Sequence, residues 1–440
     1  MDCCTGDSQG LIGVTGDFFE IRQDCRDDVP KTRFKPKAGK TLSAKRWHSS
    51  FTEEGYLDIA RVLQRAQRGG VHPSIKGVVW EFLLGCYDPR STFDERTHLR
   101  QQRREQYESW KSECQEMERT VGSGKILTMP LITEDGEPIP DSSSNDVVHQ
   151  LSTETEGSQN IEQNIEKASP DKKVIQWKLS LHQIGLDVVR TDRTLVFYEN
   201  PNNLAKLWDI LAVYSWIDRD VGYCQGMSDL CSPMAILLES EADAFWCFEH
   251  LMRRLRGNFR CTSSSVGVQS QLAILSSVVK TIDPKLHEHL ENLDGGEYLF
   301  AFRMLMVLFR REFSFLDSLY LWELMWAMEY NPYLFATYQT ETSLEKRSME
   351  LKENDRLQTQ YGRFEKKNVK NRRTDQPGSL SVFLVASILE AKNKQLLREA
   401  RGLDDVVKIL NEITGNMDAK KACTAALKIH RKYLEKTKTT

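Results

Sequence analysis

The sequence predicts an all-α protein built from two packed helical halves, and three observations carry that expectation. Apolar residues recur at spacings of three and four over most of the chain, the period of a helix with one buried face. Strand-like alternation of apolar and polar residues is missing. Of the 440 residues 40% are apolar, ample for a sizeable core. No apolar run reaches the roughly 18 residues of a membrane span.

Residues 1–40 mix Gly, Asp, Lys and Pro without lasting periodicity and end in the basic, turn-rich run Phe34-Lys-Pro-Lys-Ala-Gly-Lys40. They are expected to form a mobile arm ahead of one helical domain over residues 41–440. From Trp47 the pattern is helical. Tyr56, Ile59, Ala60 and Leu63 make one stripe, Gly69-Gly70 stops that helix, and Pro73 begins the next, whose buried side is Val78, Val79, Phe82 and Leu83. Thr92 to Cys114 is dense in Arg, Gln and Glu, with few apolar residues beyond Leu99, Tyr107 and Trp110, as in a long exposed helix.

Two insertions are expected to interrupt the domain as disordered segments. The first covers about 116–171: between Leu131 and Pro170 nine acidic residues stand against one lysine with no aromatic, a composition that cannot bury enough surface to order itself. The second covers about 341–378 and contains Arg363 to Arg373, with six basic residues and one acid, read as a solvated linker ahead of a lipid-binding or nuclear signal. Helical periodicity resumes at Lys172. Leu204, Leu207, Leu211 and Tyr214 make one face; Ala244, Phe245, Phe248, Leu251 and Met252 make another. The second half is expected to begin between Asn258 and Gln271. Phe300 to Phe309 is apolar almost all round, the pattern of a helix at the centre of a bundle. Val382 to Leu397, Leu403 to Leu410 and Met417 to Leu434 close the chain as amphipathic helices.

Charge and cysteines narrow the function. A net charge of -3 gives no global attraction to nucleic acid or to an anionic membrane, so any such binding must be local. Ten cysteines without a Cys-x-x-Cys pair offer neither a zinc spacing nor a disulfide framework, and most are expected to be reduced and buried. The start, Met-Asp-Cys-Cys, has no signal-peptide pattern and no glycine for myristoylation, and Cys3 and Cys4 are read as an exposed tail without palmitoylation. These features describe a soluble cytosolic protein. Gly122-Ser-Gly-Lys125 falls short of a phosphate loop, because Arg119 stands at the first glycine position and Ile126 follows the lysine. His287 and His289 point in different directions on a helix, so they are read as solvated surface instead of a metal pair.

The stretch from Ile184 to Leu230 places two side chains suited to phosphate chemistry either side of an apolar spacer. The Arg190 guanidinium is a permanent, forked charge that can hold two phosphate oxygens, and the Gln225 carboxamide can both donate to and accept from a water. By spacing alone Asp187 and Arg190 are an ordinary helix-surface ion pair, worth roughly 0.2 to 0.5 kcal/mol.

Ile184, Asp187, Arg190 and Thr191, followed by Tyr223, Gln225 and Gly226, resemble the Ile-x-x-Asp-x-x-Arg and Tyr-x-Gln motifs of TBC-domain proteins, the GTPase-activating proteins for Rab GTPases. Gly69 to Trp80, Ala244 to Phe248, Phe309 to Phe313 and Leu321 to Glu323 are similar as well, so the resemblance runs from about Phe51 to Tyr330. Lys76 departs from it, standing where the family generally has an arginine with a structural role. The resemblance implies two helical subdomains of the TBC type and an activator that works in trans, with no free-standing reaction. It makes Arg190 an arginine finger and Gln225 the group that orients the attacking water. Asp187 would orient Arg190, Tyr223 and Gly226 would shape the glutamine loop, and Thr191 and Ile184 would support the first motif. The partner implied is a GTP-bound Rab that carries the nucleotide and magnesium, so no cofactor is expected on this chain and no nucleic acid partner. The expected place is the cytoplasm, at most peripheral to endomembranes through the Rab, in vesicle traffic. Two rivals are a catalytically silent Rab-binding scaffold, disfavoured by the presence of Arg190 and Gln225, and a thiol enzyme using Cys224 with His182 or His250, which no motif links.

Overall fold

The computed structural model describes residues 19–134, 136–137, 139, 172–262, 265–339, 358–371 and 378–437. Much of each expected insertion lies outside these residues. The first half holds α1 (Ala44–His48), α2 (Ile59–Gly69), α3 (Lys76–Leu83), α4 (Phe93–Met117), α5 (Lys172–Val188), α6 (Pro201–Ile217), α7 (Met227–Leu237) and α8 (Glu241–Phe259). A short hairpin, Cys261–Thr262 with Ser265–Val266, is the only sheet among the described residues. The second half follows as α9 (Gln269–Ile282), α10 (Pro284–Asn292), α11 (Phe302–Met306), α12 (Phe315–Glu329), α13 (Leu334–Gln339), α14 (Arg363–Asn371), α15 (Leu380–Glu399), α16 (Leu403–Asn411) and α17 (Ala419–Lys436). No helix among the described residues is long and apolar enough to cross a membrane.

Local chemistry explains where helices begin. Asp58, Ser240, Ser314 and Asp418 each accept a hydrogen bond from the backbone N–H three residues on, and Thr92 with Glu95 forms a reciprocal capping box at α4. The buried stripe of α2 is Ile59, Val62, Leu63 and Ala66, with Tyr56 exposed ahead of the helix; on α3, Val78 faces solvent while Val79, Phe82 and Leu83 are buried. α4 is less exposed than its composition suggests, because Arg96, Arg103, Tyr107 and Cys114 are buried on one side.

The two halves are stitched together by the N-terminal helices. α2 packs on α12. At this junction Lys76 and Glu323, both fully buried, form an ion pair of 2.5 Å. Glu323 Oε1 also accepts from Trp80 Nε1 (3.1 Å), and its Oε2 accepts from the backbone N–H of Val71 (2.9 Å). The Phe34 ring lies 4.9 Å from the Lys76 ammonium. Burial pushes the Lys76 pKa below the usual lysine range, opposed by Glu323.

Several expectations are corrected. The arm expected over residues 1–40 packs on the domain where it is described: Ile21 bridges Leu195, and the backbone N–H groups of Arg33 and Phe34 donate to Asp317 (2.8 and 2.6 Å). Residues 118–134, placed in the first insertion, also pack; Val121 is buried, and the Gly122 N–H donates to Asp209 (3.0 Å). In the second, Phe364 of α14 is buried against Phe383. Phe300 to Phe309 is no central helix. It breaks after five helical residues, and Leu308 and Phe309 adopt left-handed φ values of 47° and 60°. This reversal buries Met304, Leu305 and Phe309 but leaves Phe302 44% exposed. His287, expected at the surface, is buried and 3.0 Å from the Tyr298 hydroxyl. His289 is partly buried and 3.1 Å from the Leu396 carbonyl.

His430 on α17 is fully buried between the rings of Phe364 and Phe383, and neither ring nitrogen has a hydrogen-bond partner among the described residues. Burial, with Lys367 adding, pushes its pKa down to about 4. The unfolded chain, with an ordinary histidine near ~6.5, therefore binds the extra proton between those values. Stability is intact above that window and falls as pH drops through it, by ~3 kcal/mol in all. Urea midpoints measured from neutral to acid pH are expected to fall accordingly, and His430→Leu should flatten this part of the profile. An unchanged slope in the variant would assign the effect to other groups.

Candidate functional site

Arg190 sits in the turn that closes α5. Val189 N–H donates to Gly185 O (3.1 Å) and Arg190 N–H to Asp187 O (3.2 Å), so the chain leaves the helix at the arginine. Gly185 is required there: a Cβ on it would lie 1.6 Å from the Leu127 carbonyl oxygen, which packs directly against the helix. Ile184 is fully buried and anchors the same turn in the core.

Asp187 is the hub of the site. Its side chain is 2% exposed, whereas that of Arg190 is 53% exposed. Its Oδ1 pairs with Arg190 Nη2, and its Oδ2 accepts from the Tyr223 hydroxyl at 2.6 Å. An ordinary surface pair would leave the carboxylate in water; here one buried carboxylate binds two loops. Burial, with the bond to Asp187, raises the Tyr223 pKa, which keeps the phenol protonated as the donor. Thr191 Oγ1 donates to the Asp187 carbonyl (2.7 Å) and lies 2.8 Å from Ser228 Oγ, tying the arginine turn to the start of α7.

Gln225 occupies the loop between α6 and α7, two residues beyond Tyr223. Its side chain is exposed and has no hydrogen-bond partner among the described residues. Gly226 follows with φ +100°, in the region that favours glycine, and a Cβ there would meet Val307 at 2.9 Å. The backbone thus turns sharply into α7 directly after the glutamine, against the second half of the domain. Arg190 and Gln225 therefore reach solvent from two loops that share Asp187. Leu186 and Val189, 40% and 43% exposed, place apolar surface beside the arginine.

The second half braces both loops through residues that no sequence motif marks as a site. Arg310 pairs with Asp192, whose other oxygen accepts from Ser232 at 2.6 Å, and Arg311 pairs with Asp229 of α7 at 2.8 Å. Arg310 and Asp229 are buried, and a buried charge signals a partner elsewhere in the fold. Cys224 and His250 do not form a catalytic pair. His250 lies in α8 with its ring on the Trp246 carbonyl (2.9 Å) and Arg103 (3.3 Å), while Cys224 Sγ is on the Val221 carbonyl (3.8 Å).

Residues 142–346, which include Arg190 and Gln225, match the sequence model of the Rab-GTPase-TBC domain. The chain is 31% identical over 384 residues to the Rab GTPase-activating protein 22 of Arabidopsis thaliana, covering 69% of each. It is 28% identical to the human TBC1 domain family member 17 over 89% of this chain and 46% of that one, so it spans less than half of the human relative. Its fold is similar to the crystal structure of the Ypt/Rab-GAP domain of Gyp1p, with a TM-score of 0.53 at 18% identity, over 87% of this chain and 96% of that one.

Proposed function

Because this chain belongs to the TBC-domain family of Rab GTPase-activating proteins, we propose that it accelerates GTP hydrolysis on a GTP-bound Rab, with Arg190 as the arginine finger and Gln225 as the water-orienting group. The observation that carries this reading is the double engagement of Asp187 by Arg190 and Tyr223. GTP hydrolysis spreads negative charge over the transferring phosphoryl group and needs a water held in line, so positioning and electrostatics do most of the work. A guanidinium held at one nitrogen by a buried carboxylate keeps its remaining donors for phosphate oxygens. Tyr223, fixed on the same carboxylate, and Gly226, with its left-handed backbone, set the direction of Gln225 from either side. Thr191 and Ile184 hold the arginine turn. Leu186 and Val189 supply an apolar rim for the Rab to cover. Nucleotide and magnesium belong to the Rab, which also brings the chain to an endomembrane surface.

The test is phosphate release from a panel of GTP-loaded Rabs with catalytic amounts of the purified protein. At least one Rab should respond, and free GTP should stay intact. Tight Rab binding without acceleration would replace the activator by a scaffold. Gln225→Ala is expected to slow the responsive Rab by at least tenfold, about 1.4 kcal/mol of barrier. A Rab whose own glutamine is replaced should still respond to the unmodified protein; a complete loss of response there would assign the water to the Rab.

A further inference from the structure

The arm around Phe34, the end of α2, the start of α12 and the first turn of α17 enclose a pocket of about 240 Å³. Phe34 and Tyr320, buried and with ring centroids 4.6 Å apart, form its apolar part. Seven lysine and arginine residues line the rest, including Lys35, Lys37, Arg68 and Lys421. None of the seven forms an ion pair with a carboxylate among the described residues, in contrast to Lys111, Arg104, Arg256 and Arg311, which all do. The two carboxylates in the pocket are engaged by backbone: Asp317 accepts from Arg33 and Phe34, and Asp418 accepts from the Lys421 N–H at 2.8 Å. The start of the 18-residue α17 adds partial positive charge from its peptide dipoles. In a chain of net charge -3 this concentration of cations without a carboxylate partner is local, although Lys420 Nζ donates to the Arg68 carbonyl (2.6 Å).

We infer that this pocket binds a compact polyanion that carries several phosphate groups. The phosphates meet the basic rim, where charge-assisted hydrogen bonds are strongest. A soluble inositol polyphosphate and the headgroup of an inositol phospholipid share this chemistry.

Isothermal titration with inositol hexakisphosphate tests the soluble source. Flotation with phosphatidylcholine vesicles, with and without phosphatidylinositol 4,5-bisphosphate, tests the lipid source. Lys37→Glu combined with Lys421→Glu changes two exposed side chains in the pocket; Lys408→Glu combined with Lys428→Glu makes the same charge change at positions outside it. The unmodified protein and the outside variant are expected to bind alike, and the pocket variant to bind about tenfold or more weakly. Vesicle capture that needs the phosphoinositide and is lost in the pocket variant assigns the headgroup. Titration without vesicle capture assigns the soluble polyphosphate. Binding to neither probe at low salt, or equal weakening in both variants, overturns the inference.

Discussion

Arg190→Ala is expected to abolish most of the GTPase acceleration, since arginine fingers contribute about 10³ to 10⁵ in rate, or roughly 4 to 7 kcal/mol of barrier. The side chain is half exposed and fills no core volume, so the loss should appear in single-turnover phosphate release and not as unfolding. Arg190→Lys sharpens the experiment. It keeps a cation for the buried Asp187 carboxylate but replaces a planar fork with a compact point charge, so most of the rate should still be lost. Alanine and lysine variants within tenfold of the unmodified rate would sink the arginine-finger reading.

The largest expected effect on stability lies at Lys76. Lys76→Met leaves the Glu323 carboxylate fully enclosed, with the Val71 N–H and Trp80 Nε1 as donors and no counter-charge. Removing one partner of such a pair costs about 3 to 5 kcal/mol. Adding Glu323→Gln to Lys76→Met removes the stranded charge and keeps one acceptor oxygen, which serves one of the two donors that now use separate carboxylate oxygens. The double variant should therefore unfold at higher urea than Lys76→Met alone, and the double-mutant cycle should show a favourable coupling. Equal midpoints for the single and double variants would show that the carboxylate escapes its unpaired state by another route, such as protonation. The lysine at this position, where the family generally has an arginine, still has a structural role, because it joins the N-terminal helices to α12.

The helical class was legible because period-three and period-four burial leaves a direct mark on composition, as on α2, α6 and α8. The same signal misleads where a helix is interrupted. Apolar residues from Phe300 to Phe309 suit a central helix, but the left-handed backbone at Leu308 and Phe309 turns the run back, and Phe302 ends at the surface. The packed part of the arm was hard to read for another reason: its apolar anchors Phe19, Ile21 and Phe34 are isolated in a polar run, and its bonds to Asp317 come from backbone N–H groups, which leave no hydropathy pattern. Arg190 and Gln225 stood out through their motifs. The bond from Tyr223 to Asp187, 36 positions apart, did not, nor did the pairing of Arg310 with Asp192, 118 positions apart, because such pairings have no local spacing rule.

Lys76 and Glu323 are also 247 positions apart, and that separation has a meaning during synthesis. At translation rates of about 5 to 20 residues per second, α2 and α3 leave the ribosome roughly 10 to 50 s before α12 exists to receive them. Through that interval the stripe of Ile59, Val62, Leu63 and Ala66 has no α12 to cover it, and the Lys76 ammonium stays hydrated. α4 to α8 pack largely on one another and can assemble while the chain is still growing. The N-terminal helices therefore gain their full apolar cover only when α12 of the second half arrives.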